Sequence, residues 1–458
     1  MLLGTVFERF AARSPVSVMV QATLERALTA SQLDSLFEAH ATGQYTRELL
    51  FSTVVDLLSQ VVCGVNKSVH AAFQAADEPI PVSLTSVYNK LNGIEPPVAA
   101  ELVRHCANQL GPVVGQLGGA LQPWVKGYRV RILDGNHLPA TEHRLAETRQ
   151  QSAGPLPGLA LVVLDPALMM VTDVFPCEDA HAQERSLLDQ VVATLQERDL
   201  WLADRNFCTR AFLLAMVAKK ACFVIREHAN LSWEPAGRLR SRGRIEGARV
   251  REQRVAVRGD QDQKVFLRRV TLELDEPTRD GDTVVAVLTN LPEEAASAGE
   301  VGRLYRRRWT IEGAFQELAR DLRTEIAPLC YPRAALFAFC VGLLAYNVLG
   351  VVKGALRAAH GAEAVEEVSG YYLADEIGGT RRGMMIAIEE KHWRVFRGMT
   401  QDEFVEVLRE LAGKVRMAAF RRHRRGPKKP AVKRKYNRKH PHVATSRLLD
   451  KRNPRRNA

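Results

Sequence analysis

No C-x-x-C pair occurs among the seven cysteines, which lie at positions 63, 106, 177, 208, 222, 330 and 340. An odd number at such spacings supports neither a disulfide framework nor a zinc knuckle, and it suits a reducing cytoplasm. A glycine-rich phosphate loop is also missing, which argues against nucleotide hydrolysis. The first residues, MLLGTVFERFAARSP, lack the charged region, apolar run and small-residue cleavage site of a signal peptide. No internal repeat stands out. One run of 19 residues without a charge, Ala334 to Val352, is long enough to span a membrane. It contains Tyr346, Asn347 and two glycines and follows a charged amphipathic segment, so it reads as a buried core helix.

The 458 residues, 46% hydrophobic and 25% charged, are globular in composition and too many for one ordinary core, so two or three folded units are expected. The net charge of +12 is unevenly placed. Residues 411–458 hold 18 Lys or Arg against the single acid Asp450, which leaves 46 basic and 51 acidic residues elsewhere. The stretch RRHRRGPKKPAVKRKYNRKHPH from Arg421 has too few apolar residues to pack, and is expected to stay extended until it meets a polyanion such as nucleic acid. A membrane surface is the other polyanion it would suit, and a solvated basic run is the plain alternative.

Residues 1–120 alternate helical periodicity with short breaks, as in Leu49–Val62 and Pro97–Leu110. Within them Ser68–Ala75, Asp77–Pro81 and Ser83–Leu91 have a helix, turn, helix cadence that could offer Thr85, Asn89 and Lys90 to DNA; an ordinary helical hairpin fits equally. Residues 121–229 change texture to a mixed α/β unit. YRVRILDG, LALVVLDP and LMMVTDVFP read as three strands, with a turn at Asp165-Pro166, followed by a helix over Gln183–Arg198, the strand LWLAD, a helix over Arg210–Lys219 and the strand ACFVIRE. Residues 230–282 are rich in Arg, Gly and alternating β-formers and predict an inserted antiparallel subdomain. Residues 283–330 add the strand TVVAVLTNLP and one long helix from Gly302 to Leu322. A helical region, 331–415, and a basic tail, 416–458, complete the chain.

Three acids attract attention together. Asp134 ends the strand YRVRIL and precedes Gly135, which removes a side chain where the backbone approaches something closely. Asp204 ends LWLA, and ends of neighbouring strands lie close together in a twisted sheet. Taken singly, each would be a turn former or an N-cap. Glu312 lies in LYRRRWTIEGAFQEL, and on a continuous helix Tyr305 and Arg308 fall within about 40° of it. Two Asp and one Glu suit hard Mg²⁺, with Mn²⁺ as a substitute, and two such ions in one site can activate a nucleophile and stabilise a leaving oxygen at a phosphate. Arg308 could fork onto a phosphate oxygen and Tyr305 could donate to one. As zinc ligands, His137, His143 and His181 with Glu184 repeat no known spacing.

DGN at Asp134, ADRNF at Asp204 and Y-x-x-R-x-x-x-E from Tyr305 to Glu312 resemble the DDE transposases of bacterial insertion sequences, in the subgroup with a Y-R-E-K signature. LTNLP before the signature and LLAYNVL after it resemble the same family, and the likeness runs from about Ser68 onward. It implies a ribonuclease H-like α/β core interrupted by a β-rich insertion, with Asp134, Asp204 and Glu312 as catalytic metal ligands. It also implies cut-and-paste transfer: cleavage at terminal inverted repeats and joining to target DNA by a 3′-hydroxyl, carried out by a homodimer on double-stranded DNA. The family's Lys, expected seven residues after the Glu, is Ala319 here. Arg320 lies about 80° round the helix from Glu312, whereas Arg323 returns to within about 20° and is a possible stand-in. The competing readings are a non-catalytic transposase remnant that binds DNA or represses, and a repair or restriction nuclease that cuts without joining.

Overall fold

The computed structural model describes residues 4–44, 46, 48–76, 79–259, 264–278, 281–322, 326–423 and 442–452. The protein is mixed α/β, with its strands gathered mainly between residues 129 and 289 and helices on either side in sequence.

The strands are β1 (Arg129–His137), β2 (Pro155–Leu156), β3 (Leu159–Asp165), β4 (Met170–Cys177), β5 (Asp199–Ala203), β6 (Cys222–Arg226), β7 (Glu234–Pro235), β8 (Arg240–Ile245), β9 (Ala248–Arg258), β10 (Lys264–Leu274), β11 (Val284–Thr289) and β12 (Val443–Ala444). The main sheet runs β4-β3-β1-β5-β6-β11-β10-β9-β7, with β8 paired to β9. β1, β3 and β4 form the expected antiparallel meander, and β5 then joins β1, and β6 joins β5, in parallel. The Arg-rich strands form no separate sheet. β11 pairs with both β6 and β10, so the antiparallel ribbon predicted as an insertion extends the central sheet.

Alternation along the strands sorts two cores onto the two faces of the sheet. Ile132, Leu202 and Val224 join the core built with the long helices, while Leu133, Ala203 and Ile225 join one with the helices Leu188–Thr194 and Arg210–Ala218. The uncharged run lies in a helix, Pro332–His360, whose apolar stretch is entirely buried; it is the one helix among the described residues long and apolar enough to cross a membrane. It packs against Phe51–Val62, Pro96–Leu117 and Gln401–Gly413, so helices distant in sequence share one core. Asn347, fully buried on it, accepts from Val171 N at 2.7 Å and donates to Val171 O at 2.8 Å, tying the helix to β4 with both amide bonds satisfied.

Two expectations change here. The helix from Gly302 to Leu322 is two, Ala298–Arg307 and Thr310–Asp321, separated by a turn in which Arg308 N–H bonds back only to Tyr305 O. The candidate reader consists of short helices, Val69–Gln74 and Leu84–Gly93; Thr85 and Asn89 are exposed, but Lys90 is buried with its ammonium 3.9 Å from the centre of the Phe37 ring, which removes it from DNA contact. Beyond the stretch expected to stay extended, β12 pairs with β2, a helix covers Thr445–Arg452, and Arg447 forms a two-pronged ion pair with Asp179 at 2.8 to 3.0 Å. Residues 424–441, the most basic part, lie outside the described residues.

Candidate active site

The register of β1, β5 and β6 builds the site. Ile132 pairs with Leu202 and Leu202 with Val224; carried two residues on, that register brings Asp134 in β1, Asp204 just past β5 and Arg226 at the end of β6 to the same level. The pleat turns all three toward the face of Ile132, Leu202 and Val224, where the helices carrying Tyr305 and Glu312 pack. Asp134 is therefore not at a strand end as expected, because β1 continues to His137 against β3. Asp204 does follow its strand directly, and it caps the turn Arg205–Phe207 by accepting from Asn206 N at 2.7 Å.

Arg308, at the helix break, is 6% exposed. Its Nη1 donates to Asp134 Oδ2 at 2.7 Å and its Nη2 to Glu312 Oε1 at 3.3 Å, while Nε is buried without a partner. The break leaves Arg308 and Glu312 four residues apart on adjoining turns, close enough to meet, and drops the guanidinium between Glu312 and the sheet. Tyr305 is also buried: burial pushes its phenol up, Arg308 and Arg226 pull it down, and Asp204 pushes it up again.

The electrostatics favour an added cation. Burial is the largest influence on Asp134 and, with Asp204 repelling it and Arg308 opposing, its carboxyl is pushed up to about 6. Asp134 Oδ1 accepts from Gly135 N at 3.0 Å. A donor set of carboxylate oxygens, two of them on level strands and mutually repelling, fits a hard divalent ion. Among the described residues, however, no three carboxylate, imidazole or thiol groups lie together closely enough to hold one, and Arg308 fills the space between Asp134 and Glu312.

The structure thus brings Asp134, Asp204, Tyr305, Arg308 and Glu312 together. Arg320 does not join them; it grips Asp321 with bonds of 2.6 and 2.7 Å. Arg323 lies outside the described residues. Ala319 is exposed and lines a cavity of about 140 Å³ with His137 and Phe315. His143 Nδ1 is engaged by Thr148 O at 2.7 Å rather than facing His137 or His181 as a ligand set would require. Sequence reasoning missed Arg226; its place at the end of a strand next to LWLAD was the available signal. It missed Asn206, which lies on no periodic element, and Arg185, whose helical spacing gave no sign of its partner.

This is an α/β protein in which one buried arginine joins a carboxylate of a central strand to a carboxylate of a flanking helix. Residues 125–348 match the family model described as "Transposase DDE domain", a span that contains all three acids. No curated protein matches the chain. Among solved structures, the piggyBac transposase synaptic complex with hairpin DNA aligns over 85% of this chain and 86% of its own, at 9% identity and a TM-score of 0.36.

Proposed function

We propose that the protein is a transposase that binds the ends of its own insertion sequence and cuts and joins DNA by cut-and-paste transfer, with Asp134, Asp204 and Glu312 as its catalytic acids. The observation that carries this reading is the level of Asp134 in β1 and Asp204 just past the adjacent parallel β5, with the helix of Glu312 packed on β1, inside a span matching a transposase DDE domain. In this reading the sheet and its flanking helices are a ribonuclease H-like core, with β7 to β10 as its β-rich insertion, and the chain works as a homodimer on DNA in the cytoplasm.

Asp134, Asp204 and Glu312 would hold Mg²⁺ or Mn²⁺, which supplies charge neutralisation at the attacked phosphate and an activated water or 3′-hydroxyl. Binding of ions requires Arg308 to leave at least one of its two carboxylates. Freed in this way, its fork is available for a phosphate oxygen, so the same residue holds the acids without DNA and takes phosphate with it. Tyr305 stays buried behind it and orients the guanidinium through its hydroxyl. The basic segment from Arg421 onward adds sequence-independent affinity through phosphate contacts, which predicts steep salt dependence.

The interposed Arg308 also favours a second reading, a remnant that binds DNA without reacting. Incubation with duplexes carrying the gene's own flanks and Mg²⁺ or Mn²⁺ separates the two: nicked and joined products support the transposase, while binding with no product under either metal supports the remnant. Cutting without joining would point to a nuclease.

A further inference from the structure

We propose that Glu184 and Arg185 form a positioning pair that fixes Asp204 and closes the flank of Asp134. Neither belongs to the three acids nor to the helix signature, and Glu184 stands 20 residues before Asp204.

The argument starts at Asn206. Its backbone N–H is the donor that holds Asp204 Oδ1, at 2.7 Å. Two neighbouring side chains grip the same residue from outside. Glu184 Oε2 accepts from Asn206 Nδ2 at 3.2 Å, and Arg185 Nε donates to Asn206 O at 2.8 Å. Side chain and carbonyl of Asn206 are thus both held, which restrains the residue whose own N–H reaches Asp204. The other oxygen of Glu184 lies directly over Gly135, where a Cβ would collide with it. One dipeptide therefore touches both DGN and ADRNF, the two motifs that supply the aspartates.

The topology explains how. β4 runs antiparallel to β3, and β3 antiparallel to β1, so β4 ends beside the active-site end of β1. The short connection to the turn Glu184–Leu187 then brings the dipeptide across Gly135 and the Arg205–Phe207 turn. Only a residue without a side chain at 135 permits this approach. Its hydrogen bond from the Asn206 amide gives Glu184 the part of a holder of Asn206.

This inference rests on Asp134 and Asp204 being metal ligands, and Mn²⁺ binding to the full-length protein, read from the electron paramagnetic resonance signal of the free ion, tests it. Glu184→Ala weakens Mn²⁺ binding by roughly 10-fold, the scale of losing a group that orients a ligand. Asn206→Ala does the same, and the double variant is no weaker than either, because both act through one bond. Glu184→Gln keeps an oxygen for the Asn206 amide and recovers most of the loss. Arg185→Ala, on the exposed side of the turn and safe for folding, costs roughly 5-fold. Wild-type affinity in Glu184→Ala or Arg185→Ala overturns the positioning role, as do independent, additive effects of Glu184 and Asn206. A Glu184→Gln protein as weak as Glu184→Ala overturns it in favour of direct ligation. No Mn²⁺ binding by the wild type is a different result: it removes the metal-site reading itself.

Discussion

Arg308 Nη1 lies 2.7 Å from Asp134 Oδ2, joining a helix break to a strand 174 residues earlier in the chain. Both side chains are largely out of water, and the guanidinium also reaches Glu312. Removing one partner of such a pair strands the other charge, at a cost of about 3 to 5 kcal/mol. Urea unfolding of metal-free Arg308→Ala is expected to show a loss on this scale. Stability equal to the wild type would mean that the arginine does not hold the acids.

Asp134 gives a pH signature of opposite character. Its folded carboxyl sits at about 6, above the ordinary value of 3.8, chiefly because burial disfavours the anion. A raised carboxyl stabilises the fold at pH values below the unfolded value, and that contribution disappears as pH rises through about 6. Metal-free Asp134→Asn should therefore gain stability relative to wild type between about pH 4 and about pH 8, by on the order of 3 kcal/mol. Unfolding curves at the two pH values read this directly; a constant difference contradicts it.

Asn347 supplies a prediction remote from the site. Replacing it with Leu leaves the N–H and C=O of Val171 buried and unpaired, for a loss of about 2 to 4 kcal/mol in urea unfolding. A neutral substitution would show that helix and β4 are not joined through this amide.

The docked C-terminal segment is governed by Asp179. Burial pushes its carboxyl up, but the hydrogen bond from Arg447 and further partners outweigh burial and hold it below the usual carboxylate range. Docking is then complete at neutral pH and weakens only as pH falls through that lowered value. Asp179→Ala should speed tryptic cleavage after Arg447 at neutral pH while leaving the global unfolding transition in place. Equal cleavage rates in the two proteins would indicate that the pair does not anchor the segment.

Much of the fold was legible because it rests on local patterning. The period-2 strands around Asp134, Asp204 and the Arg-rich stretch, and the burial of Ala334–Val352, follow from residue sequence alone. What escaped depends on tertiary partners. The helix break at Arg308 is invisible to periodicity, since Gly302–Leu322 contains no proline and its pattern continues across the turn. Lys90 looks like a free cation until Phe37 is brought beneath it by folding. The two-residue β12 is too short to announce itself, and the grip of Glu184 on Asn206 depends on a turn with no periodic signal. For the three acids, ordered motifs singled out residues that folding draws toward one end of β1, β5 and β6, while the register that levels two of them came only from the sheet.

The central claim is that Glu312, 35% exposed and held by Arg308, completes a metal-dependent centre for cutting and joining DNA. Its most direct test is strand transfer from duplexes carrying the gene's own flanks, with Mg²⁺, comparing the wild type with Glu312→Gln at equal DNA occupancy. The account predicts cleaved and joined products from the wild type, and full binding without either product from the variant. Equal product from both proteins would contradict it.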